Sequence, residues 1–212
     1  MKRYLLLLGL CLFVLPLQAA PGMSYGPGHT PHQAPGFDPT GLSEPAMVLR
    51  HGIETLTGYL DGRAGQIPPA QLQIFLQQRI APYFDFEHMS WWAAGPLNRH
   101  LTVAQRERLA VLLEQRFMHA LSEQLMGYRH AQLVYLPPRG NPMQGEVSLG
   151  VRVMAADAPP VQLDFRLYRN QAGEWRVYDV AANGISAVAH YRNEMSQTAR
   201  RYGIEGLLQR LQ

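Results

Sequence analysis

The sequence predicts an α+β fold: a curved, four-stranded antiparallel meander covered on one face by helices, in a single domain. Three observations carry this. Val147, Leu149, Val151 and Val153 alternate with Glu146, Ser148, Gly150 and Arg152, and Val161, Leu163, Phe165 and Leu167 alternate with Gln162, Asp164, Arg166 and Tyr168. Turn-rich stretches, Ala156 to Pro160 and Asn170 to Gly173, separate these runs from each other and from Trp175 to Val180. Apolar residues at helical spacing then lie on both sides of this block. A period of two gives each strand one oily and one wet face, and short Gly/Pro/Asn turns join such strands as hairpins.

Taken in order, the domain starts near Ser43, a helix cap with Pro45 in the first turn. Leu49, Ile53, Leu56 and Leu60 form the first stripe, which ends at Asp61-Gly62. Pro68-Pro69 opens a second helix carrying Leu72, Phe75, Leu76 and Ile80, and Pro82 stops it. A short helix is expected within Tyr83 to Trp92. Thr102 and Gln105 have the spacing of a capping box. The longest helix follows, with Leu109, Leu113, Phe117, Leu121 and Leu125 spaced by four, an apolar stripe suited to lying on the sheet. Ala131 to Leu136 adds the fourth strand through a loop, Pro137 to Gln144. After the meander, Val188, Tyr191 and Met195 mark another amphipathic helix; Gly203 ends it before a short terminal helix from Ile204 to Leu211.

Composition bounds the function. The 212 residues are 47% hydrophobic and 17% charged, enough for one good-sized core. Residues 1–19 read as a secretory signal: Lys2-Arg3, an apolar stretch from Tyr4 to Leu17 that is shorter than a membrane span, then Ala19-Ala20. Residues 20–42, rich in Pro, Gly and His, read as a disordered tail, and 43–212 as the folded domain. Losing Lys2 and Arg3 takes the net charge from +3 to +1. With dispersed arginines, this argues against nucleic acid as a partner. The lone cysteine, Cys11, lies in the signal, so a mature chain has no thiolate and no disulfide.

Catalytic patterns are sparse. No His-Glu-x-x-His, Gly-x-Ser-x-Gly or phosphate-loop spacing occurs, and His29 and His32 in the tail read as incidental, so neither a metal nor another cofactor is expected. Asp85 and His88, three apart, fit a surface pair or an N-terminal helix cap better than a catalytic pair. By strand parity Asp179 points with Trp175 and Val177 into the apolar side. That permits a general base in an oily cup, as in isomerases; the plainer alternative is a strand-end carboxylate that accepts backbone N–H bonds from 181–184 or pairs with Arg192. Trp91 and Trp92 stand about 100° apart on a helix, so only one of them is expected in the core. Tyr83, Phe84 and Phe86 read as core residues when taken singly.

Pro82-Tyr83-Phe84-Asp85-Phe86-Glu87-His88-Met89, Thr102-x-x-Gln105-Arg106, Trp175 to Val180, Gly184-Ile185-Ser186, Tyr191-Arg192 and Gly203 to Leu207 occur in order and in register. In this the chain resembles the MlaC family of periplasmic phospholipid-binding proteins over Glu44 to Leu211. It departs at Ala93-Ala94-Gly95-Pro96-Leu97, where the family usually has a Leu-Gly-aromatic or basic run, and in its tail. The resemblance implies a non-enzymatic carrier whose cargo is a phospholipid. It implies as partners an outer-membrane lipoprotein complex and an inner-membrane ABC transporter with a lipid-binding ring. It also implies an apolar cavity between helices and sheet.

From the residues alone, the converging stripes fit a packed core as well as a cavity. Read with the resemblance, the expected acyl-chain contacts are Tyr83, Phe86, Met89 and Trp92, then Leu113, Phe117, Leu121 and Leu125 of the long helix. The sheet adds Val147, Leu149, Val151, Val153, Leu163, Phe165, Leu167 and Val177, and the last long helix Val188, Tyr191 and Met195. Arg166, Arg169 and Arg192 are the arginines expected near a phosphate.

Overall fold

A computed structural model of the chain describes residues 44–62, 67–125, 128, 130–156 and 158–212. The expected signal, tail and Ser43 cap lie outside the described residues.

Helix α1 spans Glu44–Asp61. Helix α2, Pro69–Phe75, starts where Pro69 sets the first helical φ and needs no N–H partner. It widens into a π turn, Leu76–Ile80, and a 3-10 turn, Ala81–Tyr83, at the proline that cannot continue the ladder. Asp85 caps α3, Phe86–Ala94, by accepting the His88 N–H at 2.8 Å, so this spacing marks a helix start. Before α4, Val103–Leu125, the capping box closes reciprocally. The Thr102 N–H donates to Gln105 Oε1 at 2.9 Å, and the Gln105 N–H donates to the Thr102 hydroxyl at 3.2 Å. Ser186 caps α5, Ala187–Arg210, which breaks at Gly203, where φ is 70°.

The sheet holds the four expected strands: β1 (Gln132–Tyr135), β3 (Glu146–Ala155), β4 (Ala158–Arg169) and β5 (Trp175–Ala182). Two short ones extend it, β2 (Arg139–Asn141) inside the expected loop and β6 (Ile185–Ser186). The order is β1-β3-β4-β5-β6, with β2 also on β3, and all pairs are antiparallel. Leu149 faces Phe165, Val151 faces Leu163 and Leu167 faces Val177, as the alternation requires. Strand β4 begins at Ala158, taking in Pro159 and Pro160; β5 pairs with β4 only from Leu163 on, so the missing N–H groups fall outside that ladder.

Three expectations are corrected. The long helix α4 does not lie on the sheet: Leu109, Leu112, Leu113 and Met118 are buried in a cluster with α2, α3 and α5. The helix whose residues join the sheet cluster is α1, through Leu49, Ala46, Val48 and Ile53. Trp91 and Trp92 are both exposed, at 53% and 45%, because Phe86, Met89, Ser90, Ala93 and Ala94 already fill the buried stripe of α3. Asp179 does not share the side of Val177. A bulge makes Arg166 face Asp179 while Leu167 faces Val177, so Tyr178 is the extra residue and parity flips there.

Candidate functional site

The buried apolar residues fall into two clusters. One is helical and includes Leu72, Leu76, Phe86, Met89, Leu109, Leu113, Val188, Tyr191 and Met195. The other is built on the sheet from Val147, Leu149, Val151, Val153, Val161, Leu167, Trp175 and Val177, with Leu49 of α1. A packed domain of this size normally has one contiguous core. Here only Phe84, among the described residues, packs against both clusters. On the margins stand half-buried apolar side chains: Phe117, Leu121 and Leu125 beside the helical cluster, and Ile53, Leu133, Leu163, Phe165 and Val180 beside the sheet.

Local backbone structure places Phe84. It forms a parallel bridge to Val177 at the edge of β5, and the Asp85 N–H donates to the Val177 carbonyl at 2.9 Å. The Phe84 ring then meets Phe117 of α4 and stacks with Phe86 of α3, with centroids 5.2 and 5.5 Å apart. Sequence reasoning counted Phe84 only as core; its signal was the run Tyr83 to Phe86, in which alternate residues must serve different neighbours.

Of the expected contacts, the structure brings Phe86, Met89, Leu113, Val188, Tyr191 and Met195 into the helical cluster, with Phe117, Leu121 and Leu125 at its margin. Val147, Leu149, Val151, Val153, Leu167 and Val177 belong to the sheet cluster, with Leu163 and Phe165 at its margin. Tyr83 belongs to neither; its ring packs on Gly52 of α1, where a Cβ would come within 3.3 Å of it. Trp92 lies outside both, and its indole N–H donates to His88 Nε2 at 2.9 Å. Burial pushes the Tyr191 phenol up to about 12, so it stays neutral inside the helical cluster.

Polar groups gather at the α3–β5 junction. The His88 ring stacks on Tyr168 at 4.0 Å and meets Tyr178 edge-on at 5.2 Å, and the Tyr168 hydroxyl donates to Asp85. Burial lowers the His88 pKa against the opposing pull of Asp85 and Glu146, which keeps Nε2 an acceptor for Trp92. Asp179, 1% exposed, accepts from the Ser186 hydroxyl at 2.7 Å and the Val188 N–H at 3.0 Å, and pairs with Arg166 at 3.3 Å. It lies inside β5 and ties down the start of α5, with partners other than the expected 181–184 amides or Arg192. The other two expected phosphate arginines are also engaged. Arg169 Nε donates to the Gly173 carbonyl, and Arg192 donates twice to the Trp92 carbonyl. Among the described residues no three His, Cys, Asp or Glu side chains gather as a metal site, and no helix is long and apolar enough to cross a membrane.

The family model described as "MlaC protein" matches residues 53–212. A curated relative, the intermembrane phospholipid transport system binding protein MlaC of Haemophilus influenzae, is 20% identical over 178 residues, covering 80% of this chain and 81% of its own length. A solved structure of similar fold is that of a phospholipid-binding protein from Ralstonia solanacearum, in complex with a phospholipid. It aligns with a TM-score of 0.67 at 21% identity, covering 80% of this chain and 95% of that one.

Proposed function

The chain belongs to the MlaC family, and from that premise we propose that it is a periplasmic phospholipid carrier. It holds acyl chains between the helical and sheet clusters and moves lipid between an outer-membrane lipoprotein complex and an inner-membrane ABC transporter with a lipid-binding ring. The carrier binds and releases cargo without chemical change.

One observation supports this above the others: the apolar interior is divided, with half-buried oily side chains along the margins of both parts. Half-buried side chains on the margins of both clusters are apolar surface that a guest's tails would cover. The physical need is large. A two-tailed lipid exposes on the order of 30 methylenes at ~0.8 kcal/mol each, so a free monomer in water sits roughly 24 kcal/mol above the membrane. A carrier has to cover nearly all of that surface. An isomerase-like role for Asp179 fits poorly, since both of its oxygens already accept hydrogen bonds from Ser186 and α5.

The test is purification from the periplasm without detergent, followed by solvent extraction and mass spectrometry. Phospholipid near one per chain is the expected result. A clean extract, or a polycyclic lipid such as a hopanoid in its place, overturns the reading.

A further inference from the structure

Arg50 lies in the apolar stripe of α1. Ala46, four residues before it, and Ile53, three after, both pack against the sheet cluster, so helical geometry sets Arg50 on the same face. Its guanidinium carbon sits 4.6 Å from the ring centroid of Tyr135 on β1. Stacking on an aromatic face engages the charge but uses none of the N–H donors. Arg50 Nε is buried and has no hydrogen-bond partner. Among the described residues the whole guanidinium lacks an ion pair, although Glu54 is one turn away and close enough to act electrostatically on Tyr135.

Several other arginines are treated differently. Arg116 and Arg176 pair with Glu194 and Glu174 at 2.7 and 2.8 Å, Arg166 pairs with Asp179, and Arg106, Arg169 and Arg192 donate to backbone carbonyls. A cation partly withdrawn from water with its donors unused is costly, and the cost is recovered when an anion supplies the acceptors. The neighbourhood narrows the anion. Ile53, Val48 and Leu133, half-buried and apolar, lie on the margin of the sheet cluster, while Tyr135, 36% exposed, keeps the site open to solvent. An acceptor there has to carry negative charge at its head and continue into an oily tail. A phosphodiester on a diacylglycerol backbone has that form, and its paired oxygens match the guanidinium fork.

We infer that Arg50, set over Tyr135 where α1 meets β1, is the residue that binds the phosphate of the cargo, so that the carrier selects glycerophospholipid over neutral diacylglycerol. The inference rests on the carrier reading. Loss of this contact leaves the acyl-chain contacts in place and removes only the discrimination.

The test incubates detergent-free mature protein with vesicles containing phosphatidylglycerol and a diacylglycerol of the same acyl chains, then weighs the two lipids recovered per chain. Wild type is expected to favour phosphatidylglycerol by roughly tenfold or more, the span of one charge-assisted contact. Arg50→Met should bring the ratio near unity with total lipid per chain retained, and Arg50→Lys should fall between. If Arg50→Met does not fold, Arg50→Gln replaces it, checked by melting temperature. A wild-type ratio in the folded variants overturns the assignment. So does an Arg50-dependent stabilisation by inorganic phosphate with lipid selection unchanged, which marks a free-anion site. Wild type that takes up neither lipid overturns the carrier reading instead.

Discussion

The rings of Phe84 and Phe117 meet with centroids 5.2 Å apart and planes tilted by 56°, joining the edge of β5 to the middle of α4. Because Phe84 packs against both apolar clusters, this contact is one of the places where the helical layer and the sheet are joined, beside the Asp179 and Tyr168 hydrogen bonds. Phe84→Ala removes the joint. Burying and packing a whole Phe is worth ~3–5 kcal/mol, and Phe84 is only half-buried, so the expected loss is about 2 kcal/mol. Urea denaturation measures it, and a loss below about 0.5 kcal/mol would show that the clusters are held together elsewhere.

Phe165 and Val151 separate lining from folding. Both are on the apolar face of the meander, but Val151 is fully buried and Phe165 stands at the margin. Val151→Glu places a carboxylate with no partner in the sheet core and is expected to unfold the chain. Phe165→Asp should leave a native circular dichroism spectrum with bound phospholipid reduced several-fold. A folded Phe165→Asp variant with full lipid content removes that side chain from the acyl-chain path.

Asp179 is predicted to matter for stability and not for lipid content. Asp179→Ala strands the Val188 N–H and the Ser186 hydroxyl and unpairs Arg166, at a cost of roughly 2–3 kcal/mol. Thermal melting and solvent extraction on the same sample test it. Normal stability with lost lipid is the opposite pattern and places Asp179 in the cargo site.

His88 gives the fold a dependence on acid. Its folded pKa lies below the ordinary 6.5, chiefly through burial. Between the two values the unfolded chain binds the proton that the folded one refuses, so stability is complete above about pH 6.5 and falls as pH drops through the folded value. Protonation also removes the acceptor for the Trp92 indole. Chemical denaturation at a series of pH values should show this slope in wild type and a flatter one in His88→Gln. Equal slopes would place the acid sensitivity elsewhere.

Much of this was legible in the sequence because it depends on near neighbours along the chain. Strict alternation in 146–153 and 161–168 set the faces of β3 and β4. Thr102 and Gln105 set the start of α4, Asp85 capped α3, and Gly203 marked the break in α5. Each is governed by backbone geometry within a turn or a strand, which a short stretch specifies by itself.

Tertiary structure decided what lies against what. A single bulge at Tyr178, invisible to a period-two reading, moved Asp179 to the other side of its strand and gave it to α5. The stripe of α4 was plain, but its partner was not: helix packing, not apolar spacing, assigned it to α2, α3 and α5 and left α1 to the sheet. Nothing in the sequence marked Arg50; only the packed fold sets its guanidinium over Tyr135 of β1. A residue's own pattern fixes which way it points, and only the packed fold determines what, if anything, meets it there.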